Sequence, residues 1–411
     1  MTPLHLFEGF GIELEYMLVD RESARVAPIA DVLLREASGS PVPTGDHEDG
    51  ELAWSNELVQ HVIELKTNGP APRLDGLAAT FQERIGRIDG LLAPHGARLA
   101  GGAMHPFMDP LTETVLWPHE TTEVYHAYDR IFGCSGHGWS NLQSMHINLP
   151  FADDGEFARL HLAIRAVLPL LPCLAASSPF ADGRAPGPLD LRMQAYARNS
   201  VRIPSMAGRI VPEPITSRAH YEREVLGRLY ADLAPHDPEG LLRHEFANAR
   251  GAIARFDRMA IEIRVLDLQE HPAADLGIAA AVVALVRALA EERWASLESL
   301  EALETEALAC ELERTVVGGE QALLTYEPLL AALGRSPGAR TGAELWSELT
   351  DELAPAMDRA CGAALEVILA RGTLARRLLQ AAGPAPDPER LRMLVLELAD
   401  CLASGRSFDG R

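Results

Sequence analysis

The chain has 411 residues, 47% of them hydrophobic, and its 37 Lys and Arg stand against 59 Asp and Glu, for a formal charge of -22. That length buries a large core and that composition speaks against disorder. The acidic excess, with no run of Lys or Arg to track phosphates, speaks against a nucleic-acid partner, so an anionic substrate must be met by particular arginines or by bound metal.

Five cysteines, Cys134, Cys173, Cys310, Cys361 and Cys401, are scattered without C-x-x-C spacing. This usage fits a reduced, cytoplasmic compartment and indicates neither a disulfide framework nor a zinc site. The opening MTPLHLFEGFG lacks the basic-then-apolar order of a signal peptide. The most apolar stretches, residues 158–177 and 276–290, are interrupted by Arg165, Pro169 and Pro172 or by Arg287, and are expected to be buried core helices, not membrane spans.

In chain order, residues 10–20 (FGIELEYMLVD) alternate as a strand, with Ile12, Leu14, Tyr16 and Leu18 on one face and Glu13, Glu15, Met17 and Val19 on the other. Two carboxylates at i and i+2 lie roughly 7 Å apart, which costs on the order of 2 kcal/mol at an effective dielectric of about 20 unless a cation or proton intervenes. Residues 38–50 read as an exposed loop and 57–67 (ELVQHVIELKT) as a second strand, regular from Val59 onward. Residues 74–94 have helical spacing, and 97–103 form a short strand running into MHPF.

Residues 121–132 read as a helix introduced by two threonines suited to capping, and 139–150 (WSNLQSMHINLP) alternate again, with His146 and Asn148 on the polar face. Asp153 or Asp154 then caps a long apolar helix ending near Ser177. Residues 181–214 suggest a long ordered loop; 221–233 and 238–247 look helical; 259–269 (MAIEIRVLDLQ) form a convincing strand. From residue 273 onward the pattern is almost wholly helical, with breaks at Gly318, Gly319, Pro337 and Pro384.

Four strands therefore carry one apolar and one reactive face, the latter holding Glu13, Glu15, Glu64, His146, Asn148, Glu262 and Arg264. Taken singly, His146 reads as a structural histidine, Glu64 as a partner of Lys66, and Glu262 with Arg264 as a plain salt bridge. Taken together on one antiparallel sheet with helices behind it, they make a concave acidic floor. Such a floor suits Mg²⁺ or Mn²⁺ through its hard oxygens, and a phosphoryl group in transfer through its Arg and His. No GxxxxGK[ST] loop occurs.

GIELEYMLVD, ELVQHVIELKT, GGAMHPF, SMHINLPF, LPLLPCLAASSPF, DLRMQAY and IEIRVLDLQEHP, in that order over the first 295 residues or so, resemble the glutamate-cysteine ligase type 2 and carboxylate-amine ligase family. The resemblance implies an α+β fold like that of glutamine synthetase. In it, a curved antiparallel sheet has one open acidic face and helices on the other, as a catalytic domain over 1–295 with a helical region over 296–411 packed on it. It also implies an ATP-dependent ligase that phosphorylates the γ-carboxylate of glutamate, or a similar carboxylate, before an amine attacks the acyl phosphate.

By the same resemblance Glu13, Glu15, Glu64, Glu262 and His146 would hold the divalent ions, Glu262, His146 and Arg264 would be catalytic, and Arg264 with Asn148 would meet the nucleotide. Glu57 joins the metal side only if its segment bends, because seven positions separate it from Glu64 and a regular strand would put it on the opposite face. Arg192 would anchor a substrate carboxylate, with Arg198 and Arg202 as weaker candidates, and Tyr196 would line the amine pocket. Many members have His-x-His where this chain has His146-Ile147-Asn148. Glutamate-cysteine ligase, the first step of glutathione synthesis, is the simplest activity. A ligase using another amine, a guanidino-type phosphotransferase and a non-catalytic nucleotide-binding homologue are the alternatives. The partners are small molecules, with no membrane, and a homo-oligomer is admissible.

Overall fold

The computed structural model describes residues 3–357 and 362–410. Among them eight strands form one open antiparallel sheet: β1 (Gly11–Asp20), β2 (Asp46–Asp49), β3 (Leu52–Asn56), β4 (Val62–Thr67), β5 (Ala97–Ala100), β6 (Ser144–Pro150), β7 (Ala252–Arg255) and β8 (Ala260–Asp267). The order is β2-β3-β4-β1-β6-β8-β7. One side of β1 pairs with β4; on the other, its first half pairs with β6 and its second half with β5.

The alternation of β1 settles which way the sheet faces. Ile12, Leu14, Tyr16 and Leu18 are fully buried and share one apolar cluster with Ile63, Leu65, Ile147 and Ile263. Helices Leu77–Leu92, Asp154–Val167 and Pro272–Ala290 close that cluster with Phe81, Ile85, Leu160, Ile164, Val282 and Leu285. Asp153 starts the second of these helices by accepting the Glu156 N–H at 2.9 Å. Helix Pro272–Ala290 is long and apolar enough to cross a membrane, yet it lies buried inside the protein. Leu300, Leu345, Trp346 and Leu402 join the same cluster, and the last helix, Pro388–Ser404, packs on β5.

Several segments differ from expectation. Residues 46–49 of the expected loop are β2, while β3 and β7 were not anticipated. The expected strand 57–67 begins only at Val62, after a turn that reverses the chain from β3. Residues 139–150 likewise divide into the helical turn His137–Ser140 and β6. The expected loop 181–214 contains helix Leu191–Asn199, whose N-terminus Asp190 caps through the Met193 N–H at 2.8 Å. Residues 238–247 are turns with one short helical turn, Glu245–Ala247. Thr121 sits before helix Thr122–Phe132 at φ 67° and makes no side-chain cap, because its backbone is left-handed there. Cys134, Cys173, Cys310 and Cys401 are free thiols, and Cys361 lies outside the described residues.

One irregularity re-aims the end of β8. Its register against β6 jumps from Ile147↔Ile263 to Met145↔Leu266, so β8 carries an extra residue at Arg264–Val265. Val265 and Leu266 are both buried in the core, and Asp267 swings onto the face of its partner Ser144. A bulge of this kind breaks the ladder locally and redirects side chains.

Candidate active site

The polar face of the sheet gathers the acids row by row. Glu13 stands opposite both Lys66 and His146, Glu15 opposite Glu64, and Gly11 opposite Asn148. Glu13 accepts from His146 Nδ1 at 2.9 Å and from Asn148 Nδ2 at 3.0 Å. Glu15 accepts the Ser144 N–H at 2.7 Å and the Ser144 hydroxyl at 2.8 Å. That hydroxyl has given its hydrogen to Glu15, so at 2.9 Å it accepts from His146 Nε2. In this arrangement both imidazole nitrogens face acceptors, and His146 must give up a proton before either nitrogen can take a divalent cation.

The electrostatics agree. Burial works against the His146 charge, but the hydrogen bond to Glu13 and the charges of Glu15, Glu13 and Glu262 raise its pKa above the usual value. Glu262 also opposes burial; Arg264, His146 and Arg255 hold its carboxyl down to about 2. It ion-pairs with Arg264 and lies 3.3 Å from Arg255 Nη1. Glu64 accepts from Ser55 at 2.7 Å and lies 2.9 Å from Lys66 Nζ, yet burial and the Glu13 charge still push it above the usual range.

Glu57 reaches this face because the turn after β3 bends the chain, the condition under which the sequence admitted it. Burial, then Glu15 and Glu64, push its carboxyl well above the ordinary range. Glu13, Glu15, Glu57, Glu64, His146, Glu262 and Arg264 line one cavity of about 380 Å³, walled by Tyr125, Tyr128, Trp139, Tyr196 and Phe246, whereas Asn148 is not part of its lining and reaches the site through Glu13. Tyr196 lies beside the Arg264 guanidinium. Arg192 borders the cavity too, but Arg198 borders a separate groove and Arg202 donates to the Ile131 carbonyl.

The family model described as glutamate-cysteine ligase family 2 (GCS2) matches residues 9–396. The chain belongs to that family. An uncharacterized protein of Archaeoglobus fulgidus is 35% identical over 282 residues, 69% of this chain and 75% of that one. A Nocardioides protein named "Putative glutamate-cysteine ligase 2-1" is 31% identical over 294 residues, 69% of each chain. The glutamate-cysteine ligase of Francisella tularensis, solved in complex with AMP, superposes with a TM-score of 0.59 at 13% identity, covering 98% of this chain and 89% of that one. A bifunctional glutathione synthetase from Pasteurella multocida gives 0.55 at 14% identity, covering 97% of this chain and 53% of that one. The fold is that of the glutamate-cysteine ligases, and the family places the chain among ligases.

As a member of glutamate-cysteine ligase family 2, the chain has a donor set that fits a hard divalent cation. Glu13, His146 and Glu262 each offer one ligand atom, and these lie within 4.8 Å of one another. Beside them Glu15, Glu57 and Glu64 are three carboxyls held above their usual range, by burial first and then by one another's and Glu13's charges, which a bound cation would offset.

Sequence reasoning missed two arginines and one acid here. Arg255 and Arg258 flank the β7–β8 turn and line the cavity, Arg258 with its side chain 58% exposed. The signal was the AIARFDRMAIEI hairpin, two arginines within an alternating run. Asp267 escaped because the parity of Glu262 and Arg264 points to Leu266, and only the consecutive Val265–Leu266 pair hints at a bulge.

Proposed function

We propose that this protein is an ATP- and divalent-cation-dependent carboxylate-amine ligase that joins the γ-carboxylate of glutamate to an amine, with cysteine the simplest acceptor. The single observation that carries the reading is the convergence of Glu13, His146 and Glu262 within one cavity, with Arg264 paired to Glu262 beside them. Family membership and the AMP-bound structural neighbour support it. Mg²⁺ or Mn²⁺ on Glu13, Glu15, Glu57, Glu64, His146 and Glu262 would screen the nucleotide's phosphates from the acidic floor.

In this reading a glutamate carboxylate oxygen attacks the terminal phosphorus of ATP and ADP leaves. The amine nitrogen then attacks the acyl carbon, loses a proton and expels phosphate. Arg264 is held at the cavity by Glu262 and offers its guanidinium to the phosphoryl group in transfer. Arg258, exposed on the hairpin with Asp257 3.9 Å away, borders the cavity where it can meet a second anionic group. Tyr125, Tyr128, Trp139 and Phe246 wall the cavity with aromatic surface that would limit the access of water to an acyl phosphate. No nucleophilic side chain is required, and the cavity lining contains no cysteine among the described residues.

The test is a mass-spectrometric screen of purified protein with ATP, Mg²⁺, glutamate and a panel of amino acids and amines. A γ-glutamyl amide and ADP, both dependent on glutamate and on one amine, are expected. A stable phosphorylated amine or guanidine without an amide would instead indicate a phosphotransferase, and ATP binding without product across the panel a non-catalytic homologue.

A further inference from the structure

We propose that Asp267 is a positioning residue of this site, which fixes Arg192 as a buried strut between β8 and helix Leu191–Asn199 and removes it from direct grip on a substrate carboxylate. The inference rests on the ligase reading for its kinetic consequences, but its structural basis is independent of it.

The β8 bulge turns Asp267 onto the acidic face, where it is fully buried. Its Oδ2 accepts the Ser177 N–H at 2.8 Å and the Ser178 hydroxyl at 2.7 Å, while Oδ1 lies 3.5 Å from Arg192 Nη1. The Ser178 hydroxyl oxygen in turn accepts the Arg192 N–H at 3.1 Å. Arg192 Nη2 donates to the Arg264 carbonyl at 2.8 Å, the point at which the bulge interrupts the β6–β8 ladder. The guanidinium therefore spans from Asp267 to the peptide that carries Arg264.

Arg192 borders the cavity with both ends of its guanidinium fork already engaged. Its side chain is 3% exposed, one Nη faces Asp267, the other holds a carbonyl, and only Nε, buried, is left without a hydrogen-bond partner. Burial and then the Asp267 charge push the Asp190 carboxyl well above its usual range, and burial raises Asp267 too against the opposing charge of Arg192, so Arg192 is the counter-charge of this buried pair. From this seat Arg192 acts on the chemistry at a distance, through its field at Glu15 and through the backbone position of Arg264.

Outer partners of this kind typically cost about 10- to 100-fold when removed. Steady-state kinetics of Asp267→Asn should therefore show kcat lowered by about that factor with the glutamate KM within about 3-fold of wild type. Arg192→Lys should follow the same split, since an ammonium cannot span both partners. Should Asp267→Asn fail to fold, Ser178→Ala, which removes only the hydroxyl that ties Asp267 to the Arg192 backbone, should lower kcat in the same direction by a smaller factor. A glutamate KM raised tenfold or more in Arg192→Lys with kcat retained would assign Arg192 to substrate binding and overturn the proposal, as would unchanged kcat in Asp267→Asn.

A urea double-mutant cycle of Asp267→Asn and Arg192→Met separates this from failure of the ligase reading. Wild-type protein without glutamate-dependent ADP release removes the ligase reading, and the cycle then decides the strut alone. Coupled residues make the double variant lose less than the sum of the singles, whereas additive losses would mean no strut.

Discussion

Glu15 on β1 stands directly opposite Glu64 on β4, two carboxylates on one buried face of the sheet. Cross-strand partners bring their Cβ atoms to about 5 Å, where like charges destabilise. Burial raises the Glu15 carboxyl, and Glu64 adds to it against the opposing charges of His146 and Arg192. A neutral isostere relieves this in the metal-free protein: Glu15→Gln should gain up to about 1 kcal/mol in urea unfolding with chelator present. The same variant should lose at least about 99% of glutamate-dependent ADP release. A variant that lost stability and kept turnover would contradict the assigned role.

A cation bound only by the folded face stabilises it by mass action. Mg²⁺ or Mn²⁺ at about 100 times its dissociation constant should add about 2.7 kcal/mol to unfolding, reversed by chelator. Glu262→Gln, which removes one member of the converging Glu13–His146–Glu262 set, should abolish most of that increment. Equal stabilisation in wild type and variant would place the cation elsewhere.

The site was legible where alternation is strict. β1, β4, β6 and β8 each show a period of two, and that period alone assigns Glu13, Glu15, Glu64, His146, Asn148 and Glu262 to one face, as the register has them. What stayed hidden depends on departures from the period. The turn at 57–61 delivers Glu57 and the bulge at Arg264–Val265 delivers Asp267, and both are set by pairing between distant segments. β2 was hidden for a different reason: DHED is polar throughout, an edge strand with little to bury. Helix Leu191–Asn199 was hidden because its flanking Gly and Pro residues outweighed a nine-residue pattern.

Three of the buried histidines lower stability in acid. Burial holds the imidazoles of His61 and His105 down to about 4 and that of His161 down to about 3, against an ordinary value near 6.5. Between about pH 6.5 and 4 the unfolded chain therefore takes up protons that the folded chain refuses, so stability falls as pH falls, by about 1.4 kcal/mol per pH unit for each proton. His161 stacks on Phe157 at 5.3 Å inside the core. His161→Phe should make urea midpoints less steep between pH 7 and 5 by the equivalent of one proton. An unaltered slope would mean that this ring is protonated when folded.

Gly11 connects the site to the backbone beneath it. A Cβ placed there would lie 2.8 Å from the Asn148 Cβ, its register partner, so the absence of a side chain on β1 is what lets Asn148 lean over and donate to Glu13. Gly11→Ala should therefore cost about 1–3 kcal/mol through overpacking and should swing Asn148 away from Glu13. In the double variant Gly11→Ala/Asn148→Gly the crowding Cβ is gone and urea stability should return toward wild type. Activity should not, because Glu13 has lost its amide donor in both. If Gly11→Ala alone kept full activity and stability, the sheet would have moved to make room, and the contact between Asn148 and Glu13 would not be what demands a glycine at this position.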